Sequence, residues 1–531
     1  MNKKLLVIIM MLFGIFSKVN AQGTAGKDFW VAFMAQDWGC YYNNNWYNQD
    51  TAQLFLSSQH YATITISAPG QNFVTTVNLV PNVTSQVMLP REVVCRYSDS
   101  VTTNGVHVVS DSTINVYAVN RYWYSKGATV VLPVTSIVQA PEYFITTSDD
   151  TYSWGWSCNG KLLQSPEFTI VGIADSSVIE IVPTGASSRN SPAGVPFQIT
   201  LRRGETFQYM TTDRDLTGSI VRAKYPMSKF SVFAGNRQSW YTRNVANQGT
   251  CYSSWDHNYE QMLPSVTWGT DYTAMPFKNS GKGYILKVLA AENFTSISIN
   301  GTYYGTLNQG KFFTIPVDYD TVTRISSNNR ISVAQFATGG YYCSGSSTSY
   351  NPLGDPAQVQ LFPDVQMGNN ATVNTVSETN WWWWNNWWWN SFAPEHYINV
   401  LSRSNDTSYF KLNYRSISNS LWKADPSLYG YHYAQLKIDS GSHFMSSTKG
   451  FLSYVYGYGR FEGYAYAAAA NFKPIQNNFL IVNAQCKRDT VEFNAIVTDS
   501  FSNYNWVFGD GTTGTGEKVK HKYADTGWYT V

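Results

Sequence analysis

A two-residue alternation of apolar and polar side chains recurs along most of the chain. It is clear at residues 62–66, 114–119 and 197–201, and Pro-Gly, Asn-Gly and Arg-Gly pairs stand between such runs. Successive side chains of a strand point to opposite faces, so this period predicts half-buried β-strands joined by hairpins. Only residues 467–470, four alanines, have a helix-like composition, and the run is short. The sequence therefore predicts an all-β fold of antiparallel strands.

Two strand-like modules return in the same order along the chain. The first is a strand, a polar turn and a Thr-rich strand, at residues 54–66, 168–181, 284–299 and 397–412. The second follows about 50 residues later, at 110–120, 224–236, 326–339 and 446–457. Four alternations predict tandem β-sandwich units, with bounds at 22–140, 141–262, 263–360 and 361–475. A shared core between units, or echoes common to any all-β chain, are the alternatives.

The first residues have the features of a secretory signal. Lys3 and Lys4 precede an apolar run at 5–16, and a small residue, Ala21, ends the following polar stretch. Twelve apolar residues are too few to cross a bilayer, so cleavage after Ala21 is favoured over a membrane anchor. We expect a signal peptide at 1–21 and no transmembrane segment in the mature chain. The protein would then be secreted or held at the extracellular cell surface.

Charge and cysteine content further narrow the classes of protein to which the chain could belong. Lys and Arg number 37 and Asp and Glu 35, so the chain lacks the basic excess of a nucleic-acid binder. Charged residues make up 14% and aromatic residues 16%, which excludes a disordered, charge-solvated chain. Exported proteins form disulfides, but the sequence does not reveal how the cysteines pair. The six cysteines are Cys40, Cys95, Cys158, Cys251, Cys343 and Cys486.

Aromatic residues are concentrated in Asn- and Gly-rich segments between the strands. Residues 381–389 hold seven of the nineteen tryptophans, and they do not alternate as a core strand would. Such segments pack against their own domain or form a contact surface, since Trp and Tyr supply a large area with few rotatable bonds. We predict the second role. The candidate ligand-binding residues are Trp38, Tyr41, Tyr42, Trp46, Trp123, Tyr124, Trp154, Trp156, Trp240, Tyr241, Trp381, Trp382, Trp383, Trp384, Trp387, Trp388 and Trp389.

Catalytic and metal-binding patterns are weak. His257 and Glu260 could share a metal if they lay on a helix, and Cys251 with His257 could form a nucleophilic dyad. A hydrogen-bonded corner and a bridged cysteine are the favoured interpretations. No nucleophile elbow, phosphate-binding loop or dinucleotide fingerprint occurs. We expect no catalytic residues, no metal and no cofactor.

The C-terminal segment, 476–531, has a different pattern. It contains Trp506-Val507-Phe508-Gly509-Asp510-Gly511, a short polar loop, and a His-x-Tyr followed by Gly-x-Tyr-Thr-Val at the end. These motifs resemble a PKD (polycystic-kidney-disease-type) domain. The resemblance implies an Ig-like sandwich that serves as a spacer or adhesion module. The chain stops within the expected last strand, so we expect an incomplete domain and further chain beyond Val531.

The longer N-terminal region has its own resemblance. Residues 26–34, 129–145, 167–181 and 256–272 occur in an order that resembles the N-terminal domain family of IgGFc-binding protein. The likeness covers about 26–340 and extends loosely to 475. Relatives of the mucin type carry a Gly-Asp-Pro-His self-cleavage motif. This chain has Ala357 in place of the histidine, so self-cleavage is not expected.

Taken with the aromatic segments, the resemblance implies a binding or adhesion protein of a bacterial cell surface, without catalysis. It would contact protein or glycan ligands, with several weak sites acting together. Two alternatives remain at this point. One is an enzyme that acts on polysaccharide and uses the PKD-like module as a spacer. The other is a structural component of a surface or matrix.

Overall fold

The structure is a computed structural model, and its description begins at Gln22. The residues that it describes are 22–36, 51–122, 125–137, 141–148, 157–158, 161–162, 165–189, 191–211, 215–245, 249–253, 256–278, 283–317, 321–338, 341–343, 354–376, 395–459, 462–472, 479–482, 490–495, 505–516 and 518–524. Within these ranges the chain is built of antiparallel strands, apart from one isolated parallel bridge and a few short 3-10 turns. The prediction of an all-β fold is confirmed.

The strands fall into successive groups. The first comprises β1 (Gln22–Gly23), β2 (Ala25–Val31), β3 (Thr51–Ser57), β4 (Ala62–Ala68), β5 (Phe73–Leu79), β6 (Ser85–Met88), β7 (Ser100–Thr102), β8 (Val106–Tyr122) and β9 (Ser125–Val131). The second comprises β10 (Glu142–Phe144), β11 (Ser157–Cys158), β12 (Lys161–Leu162), β13 (Pro166–Gly172), β14 (Ser177–Val182), β15 (Phe197–Leu201), β16 (Thr206–Met210), β17 (Ile220–Ala223), β18 (Phe230–Ser239), β19 (Thr242–Val245), β20 (Gly249–Ser253) and β21 (Asp256–Gln261).

The remaining strands continue the same order. The third group comprises β22 (Gly269–Ala274), β23 (Tyr284–Ala290), β24 (Thr295–Ile299), β25 (Thr302–Leu307), β26 (Phe312–Val317), β27 (Thr323–Thr338), β28 (Tyr341–Cys343) and β29 (Pro356–Gln360). The fourth comprises β30 (Gly368–Asn374), β31 (Glu395–Arg403), β32 (Lys411–Leu412), β33 (Arg415–Ser416), β34 (Trp422–Ala424), β35 (Tyr431–Ile438), β36 (Ser442–Gly459), β37 (Glu462–Ala469) and β38 (Asn471–Phe472). The C-terminal module holds β39 (Phe479–Val482), β40 (Val491–Ala495), β41 (Asn505–Val507), β42 (Thr513–Thr515) and β43 (Lys518–His521). The 3-10 turns are Pro69–Gln71, Arg91–Val93, Ser265–Thr267, Ser404–Tyr409, Asn419–Leu421 and Pro426–Leu428.

One pairing pattern is repeated in all four groups. Each group has a spanning strand, namely β8, β27, β36 or the interrupted pair β17 and β18. Its first half pairs with the preceding strand (β2, β10, β22 or β30) and with an outer hairpin. Its second half pairs with β3, β13, β23 or β31, and with a following central strand, β9, β21, β29 or β37. Because one strand contributes to both sheets, each group folds as a two-layered sandwich.

Burial along the strands shows which faces are covered. The outer strands β4 and β14 alternate between buried and exposed or half-buried positions, and β5 alternates mainly between half-buried and exposed ones, as antiparallel strands do when one face meets water. The central strands β9, β21 and β29 are buried at every position. Side chains on both faces of a central strand therefore contact protein, which places these strands in the interior of the molecule.

The four central strands pack against one another in a closed cycle. β9 contacts β21, β21 contacts β29, β29 contacts β37, and β37 returns to β9. The contacts are made by side chains and not by ladder pairing: Asp256 Oδ1 accepts from the Lys126 N–H at 2.6 Å, and Glu260 Oε1 accepts from the Gln360 N–H at 3.0 Å. The ends of the region meet as well, since β1 pairs with β38. The four groups therefore form a ring about the central strands.

Close approach at the ring centre requires small residues. A Cβ on Gly127 would lie 2.5 Å from Tyr259 Cβ, and one on Gly463 would lie 2.6 Å from the Asp355 carbonyl oxygen. Residues 467–469 continue β37 and are fully buried. The helix-like composition of 467–470 is therefore misleading. Packing between strands selects alanine here, and tertiary contacts override its local helix preference.

Strand pairing and apolar packing both cross the proposed unit boundaries. β7, which lies within 22–140, extends the sheet of β13, β16, β18 and β21 through its pairing with β16. A continuous apolar core also joins the first, third and fourth groups, whereas most of the second group's apolar residues form a cluster of their own. The division into domains at 22–140, 141–262, 263–360 and 361–475 stays a prediction.

The C-terminal module has a small aromatic core of its own. Phe493, Trp506 and Phe508 form a buried cluster, and the Trp506 indole N–H donates to the Gly516 carbonyl at 2.8 Å. The His521 ring stacks on Phe508 at 4.1 Å between centroids and contacts Asp510 Oδ2 through Nε2 at 2.7 Å. The motif residues of the sequence therefore meet in this core.

We expect the Gly127→Ala variant to destabilise the protein by about 2 kcal/mol, the typical cost of overpacking where backbone must move. The added methyl group meets Tyr259 Cβ and His257 Cδ2, at 2.5 and 2.8 Å. The free energy of unfolding in urea measures the effect. Thr65→Ala, on the exposed face of β4, is the control and should cost less than about 1 kcal/mol. Equal effects of the two substitutions would contradict close packing at the ring centre.

Candidate ligand-binding face

The end of each spanning strand lies beside the start of two others. In the central hairpins, Tyr122 is opposite Ser125 and Thr338 is opposite Pro356. The strand on the other side of the spanning strand, which is β3, β13, β23 or β31, also begins opposite the end of the spanning strand. The pairs are Thr51 with Arg121, Pro166 with Asn236, Tyr284 with Ala337 and Glu395 with Tyr458. In every group, two connecting segments therefore leave and enter the sandwich at one end.

The four central strands run in the same direction, so these ends share one side of the ring. Near their starts, Lys126 of β9 bonds Asp256 of β21. Near their ends, Gln261 Oε1 accepts from the Leu132 N–H at 2.7 Å. β29 and β37 also start together, since Asp355 approaches Gly463. The eight connecting segments thus begin and end on a single side, which we call the loop face. They are 37–50, 123–124, 149–165, 240–255, 279–283, 339–355, 377–394 and 460–461.

Tryptophan is concentrated in the segments that meet this face. Fourteen of the nineteen tryptophans in the sequence belong to them. They are Trp38, Trp46, Trp123, Trp154, Trp156, Trp240, Trp255, Trp381, Trp382, Trp383, Trp384, Trp387, Trp388 and Trp389. Trp255 is not among the sequence candidates, although it lies in the segment 240–255. The strand topology, and not the local sequence, reveals that it belongs with the others.

Two of the predicted ligand-binding residues fall within the described part of the chain. Trp240 and Tyr241 are each only 7% exposed, and Tyr241 packs against Phe336 of the third group. These two side chains contact protein, so we leave them out of the proposed contact surface. The other candidates lie outside the described residues. They are Trp38, Tyr41, Tyr42, Trp46, Trp123, Tyr124, Trp154, Trp156, Trp381, Trp382, Trp383, Trp384, Trp387, Trp388 and Trp389.

A small sheet joins two of the segments. β19 and β20 form a hairpin between β18 and β21, and β20 pairs with β28, which follows β27. The second and third groups are thus connected on the loop face by backbone hydrogen bonds. The short hairpin of β11 and β12 lies in the segment before β13. Secondary structure on this face is therefore built from the connecting segments themselves.

Beneath the loop face the ring centre is polar and buried. His257 is fully buried, and its ring lies between the Asn120 amide, 3.2 Å from Nε2, and the Arg237 carbonyl, 3.3 Å from Nδ1. This geometry fits a neutral ring that accepts from the amide and donates Nδ1–H to the carbonyl. Burial lowers the pKa of His257 to about 3. The histidine is therefore a neutral hydrogen-bonding residue of the interior.

The same desolvation disfavours the charged forms of the neighbouring acids. Burial raises the pKa values of Glu167, Asp256 and Glu260 well above their ordinary range. Hydrogen bonds oppose this shift at Asp256, which accepts from the Lys126 and His257 N–H groups at 2.6 and 2.7 Å. Asp256 and Glu260 connect neighbouring central strands through their hydrogen bonds to Lys126 and Gln360.

The sequence hypothesis of a metal shared by His257 and Glu260 depended on a helix. His257 and Glu260 instead lie on strand β21, where residues three apart point to opposite faces, so they do not share a metal. Among the described residues, no group of three or more His, Cys, Asp or Glu side chains could hold a metal ion. The hydrogen-bonded corner that the sequence favoured agrees with the contacts of His257.

Acid should destabilise the protein partly through His257. Its pKa in the folded state lies below the value near 6.5 of an unfolded chain, so its contribution is complete above pH 6.5 and is lost as the pH falls. By pH 5 the loss amounts to about 2 kcal/mol. Between pH 7 and pH 5, the free energy of unfolding of His257→Gln should therefore fall by about 2 kcal/mol less than that of the wild-type protein.

Urea unfolding at the two pH values measures this difference. The exposed His60 provides the matched control, and His60→Gln should keep the wild-type pH dependence. A His257→Gln variant with an unchanged pH dependence would show that this histidine titrates normally and is not locked in the interior.

Two regions of the chain match known protein families. A model of the family described as IgGFc binding protein matches residues 127–457, and a PKD domain matches residues 471–531. The human protein named "IgGFc-binding protein" is 24% identical over 357 residues, which is 66% of this chain and 6% of the human protein. The chain thus spans a small part of that relative's length.

A solved structure was also compared. The GH2 beta-galacturonidase from Eisenbergiella tayi bound to galacturonate is 10% identical, covers 46% of this chain and 42% of its own, and has a TM-score of 0.10. That score is too low to support any argument. The family match covers more than half of the sequence and includes the central strands β21 and β29, most of β9 and most of the fourth group. The chain belongs to the IgGFc binding protein family, and a PKD domain follows the family region.

Proposed function

We propose that this protein binds a protein ligand through the loop face, outside the cell, without catalysing a reaction. The observation that carries this proposal is the topology of the ring. Four central strands of common direction bring the ends of eight connecting segments to one side, and those segments contain thirteen of the nineteen tryptophans besides the buried Trp240. The family is named for binding and not for a reaction.

The composition of the segments suits a wet protein interface. Trp and Tyr bury large areas at a low entropic cost and keep a polar group for water or a partner. Asn residues stand between them, at 43–45 and 385–386, and each offers both a donor and an acceptor. Few charges need to be desolvated, because the whole chain is only 14% charged. Contact area and neutral hydrogen bonds would supply the affinity.

The ring also suggests how weak contacts would add together. Each group contributes two segments to the loop face, and the sandwiches beneath them form one packed body. Segments fixed to one body bind a ligand without paying separately for association, so individually weak sites reinforce one another. A ligand with an extended or repeated surface would benefit most.

The immunoglobulin Fc region is the first ligand to examine. The name of the human relative states that it binds this region. This chain resembles only a small part of that protein, so Fc binding here is our proposal. A glycan ligand, which the aromatic segments also suggested, is the alternative outcome of the same experiment.

The proposed setting is extracellular. IgGFc binding protein and PKD domains are typical of extracellular proteins. In the part of the chain that the structure describes, no helix is long and apolar enough to cross a membrane. Export through a signal peptide at 1–21 and display on a bacterial cell surface belong to this proposal, and the PKD domain would act there as a spacer.

Replacement of the seven tryptophans at 381–384 and 387–389 by alanine should weaken ligand binding at least tenfold. The reason is the loss of large aromatic contacts, since single aromatic anchors contribute 1 kcal/mol or more at interfaces, about a factor of five to ten each. Surface plasmon resonance with purified Fc, an array of secreted proteins and an array of glycans provides the measurement. Circular dichroism checks that the variant remains folded.

Tyr303 and Tyr304 provide the matched control. They are exposed aromatics, at 64% and 47%, on the outer strand β25 away from the loop face. Their joint replacement by alanine should leave binding unchanged. Binding that survives the loss of the tryptophans, or that is lost with the two tyrosines, would refute the proposal. Selective binding to the glycan array alone would replace the protein ligand with a carbohydrate.

A further inference from the structure

Four of the six cysteines belong to segments of the loop face. Cys40, Cys158, Cys251 and Cys343 lie in the connections of the first three groups. Two of them, Cys251 and Cys343, fall on strands whose pairing is described. They come from different groups, because β20 precedes β21 and β28 follows β27. The sequence alone could not reveal their relation.

The register of the small loop-face sheet places these two cysteines opposite each other. In the antiparallel pairing of β20 with β28, the partners are Cys251 with Cys343, Tyr252 with Tyr342, and Ser253 with Tyr341. Residues directly opposite in such a pair have Cα atoms about 4.5 or 5.5 Å apart, depending on the ladder position. Both values lie within the range of about 4.4–6.8 Å that a disulfide requires.

The same sheet needs additional stabilisation. β19, β20 and β28 contain four, five and three residues. So small a sheet is marginal in water unless a core or a covalent link supports it. The apolar cluster of Tyr241, Ala334 and Phe336, which lie shortly before β19 and β28 in the sequence, is also small. A bond between β20 and β28 would hold the sheet at the point where two groups meet.

We infer that Cys251 and Cys343 form a disulfide that joins the second and third groups across the loop face. Each thiol gives up its proton, and the pair passes two electrons to a disulfide oxidant such as oxidised glutathione. The oxidant is reduced to two thiols as the S–S bond forms. The bond fixes two of the eight segments to each other before any ligand arrives. It depends on an oxidising environment and not on the identity of the ligand.

Cys95 lies outside the segments of the loop face. Its side chain is buried between the first two groups, with Sγ 3.4 Å from Thr206 Oγ1. Burial raises the pKa of this thiol to about 11, so little reactive thiolate forms at neutral pH. It is a free cysteine in the structure. Cys95→Ser therefore serves as the control that removes a cysteine without removing the proposed bond.

Mass spectrometry of the full chain tests the inference directly. The purified, reduced protein is equilibrated in a glutathione buffer of extracellular redox potential, alkylated without reduction and digested. We expect a peptide pair that links Cys251 to Cys343, about 2 Da lighter than the two reduced peptides together. The link should disappear on treatment with dithiothreitol. It should persist in Cys95→Ser, and in Cys251→Ser the Cys343 thiol should become open to alkylation.

Hydrogen exchange adds a structural measurement. Amides of β20 and β28 should exchange faster after reduction, and equally fast in the Cys251→Ser, Cys343→Ser double variant with or without reductant. Alkylation of both thiols in the oxidised protein would overturn the inference, as would a link from either residue to Cys40 or Cys158. These results do not depend on ligand binding, so failure of the proposed function would leave them unaffected.

Discussion

Close packing of four strands at the centre of the ring is the constraint on which the rest of the structure depends. β9, β21, β29 and β37 are edge strands in their own sheets, where unpaired backbone groups invite association. Here they are covered by one another. Gly127 and Gly463 permit the close approach of neighbouring strands, and the small side chains of the alanines in β37 allow the last strand to pack closely as well. The common direction of the four strands then decides on which side of the ring the eight connecting segments begin and end.

The polar side chains buried at this centre make hydrogen bonds, and desolvation disfavours their charged forms. Asp256, Glu260 and His257 accept or donate hydrogen bonds across the ring while their pKa values shift toward the neutral forms. Further out, Lys287 of the third group pairs with Asp215 of the second, and this lysine is also buried. This ion pair links the second and third groups outside the central strands.

Much of the local structure could be predicted from the sequence, whereas the arrangement of the groups could not. Alternation identifies the outer strands because one face of each is wet. The recurring modules coincide with β3 and β4 in the first group and with the second half of the spanning strand β8. The cyclic packing rests on side-chain contacts such as Lys126 with Asp256, 130 residues apart, which no local pattern encodes. Tertiary contacts also decide that 467–469 form a strand and that Trp240 and Tyr241 are buried.

The sequence predicts which residue types make up the candidate site, but it does not predict where the segments that carry them begin and end in the fold. Aromatic segments are visible in the sequence, yet a row of sandwiches would distribute the points where they begin and end along the molecule, whereas a ring brings these points to one side. Small-angle X-ray scattering of the full chain separates these shapes most directly. The ring predicts a radius of gyration near that of a compact chain of this length, about 24 Å, slightly enlarged by the PKD domain. A value of roughly 40 Å, as expected for four sandwiches in a row, would contradict the common loop face.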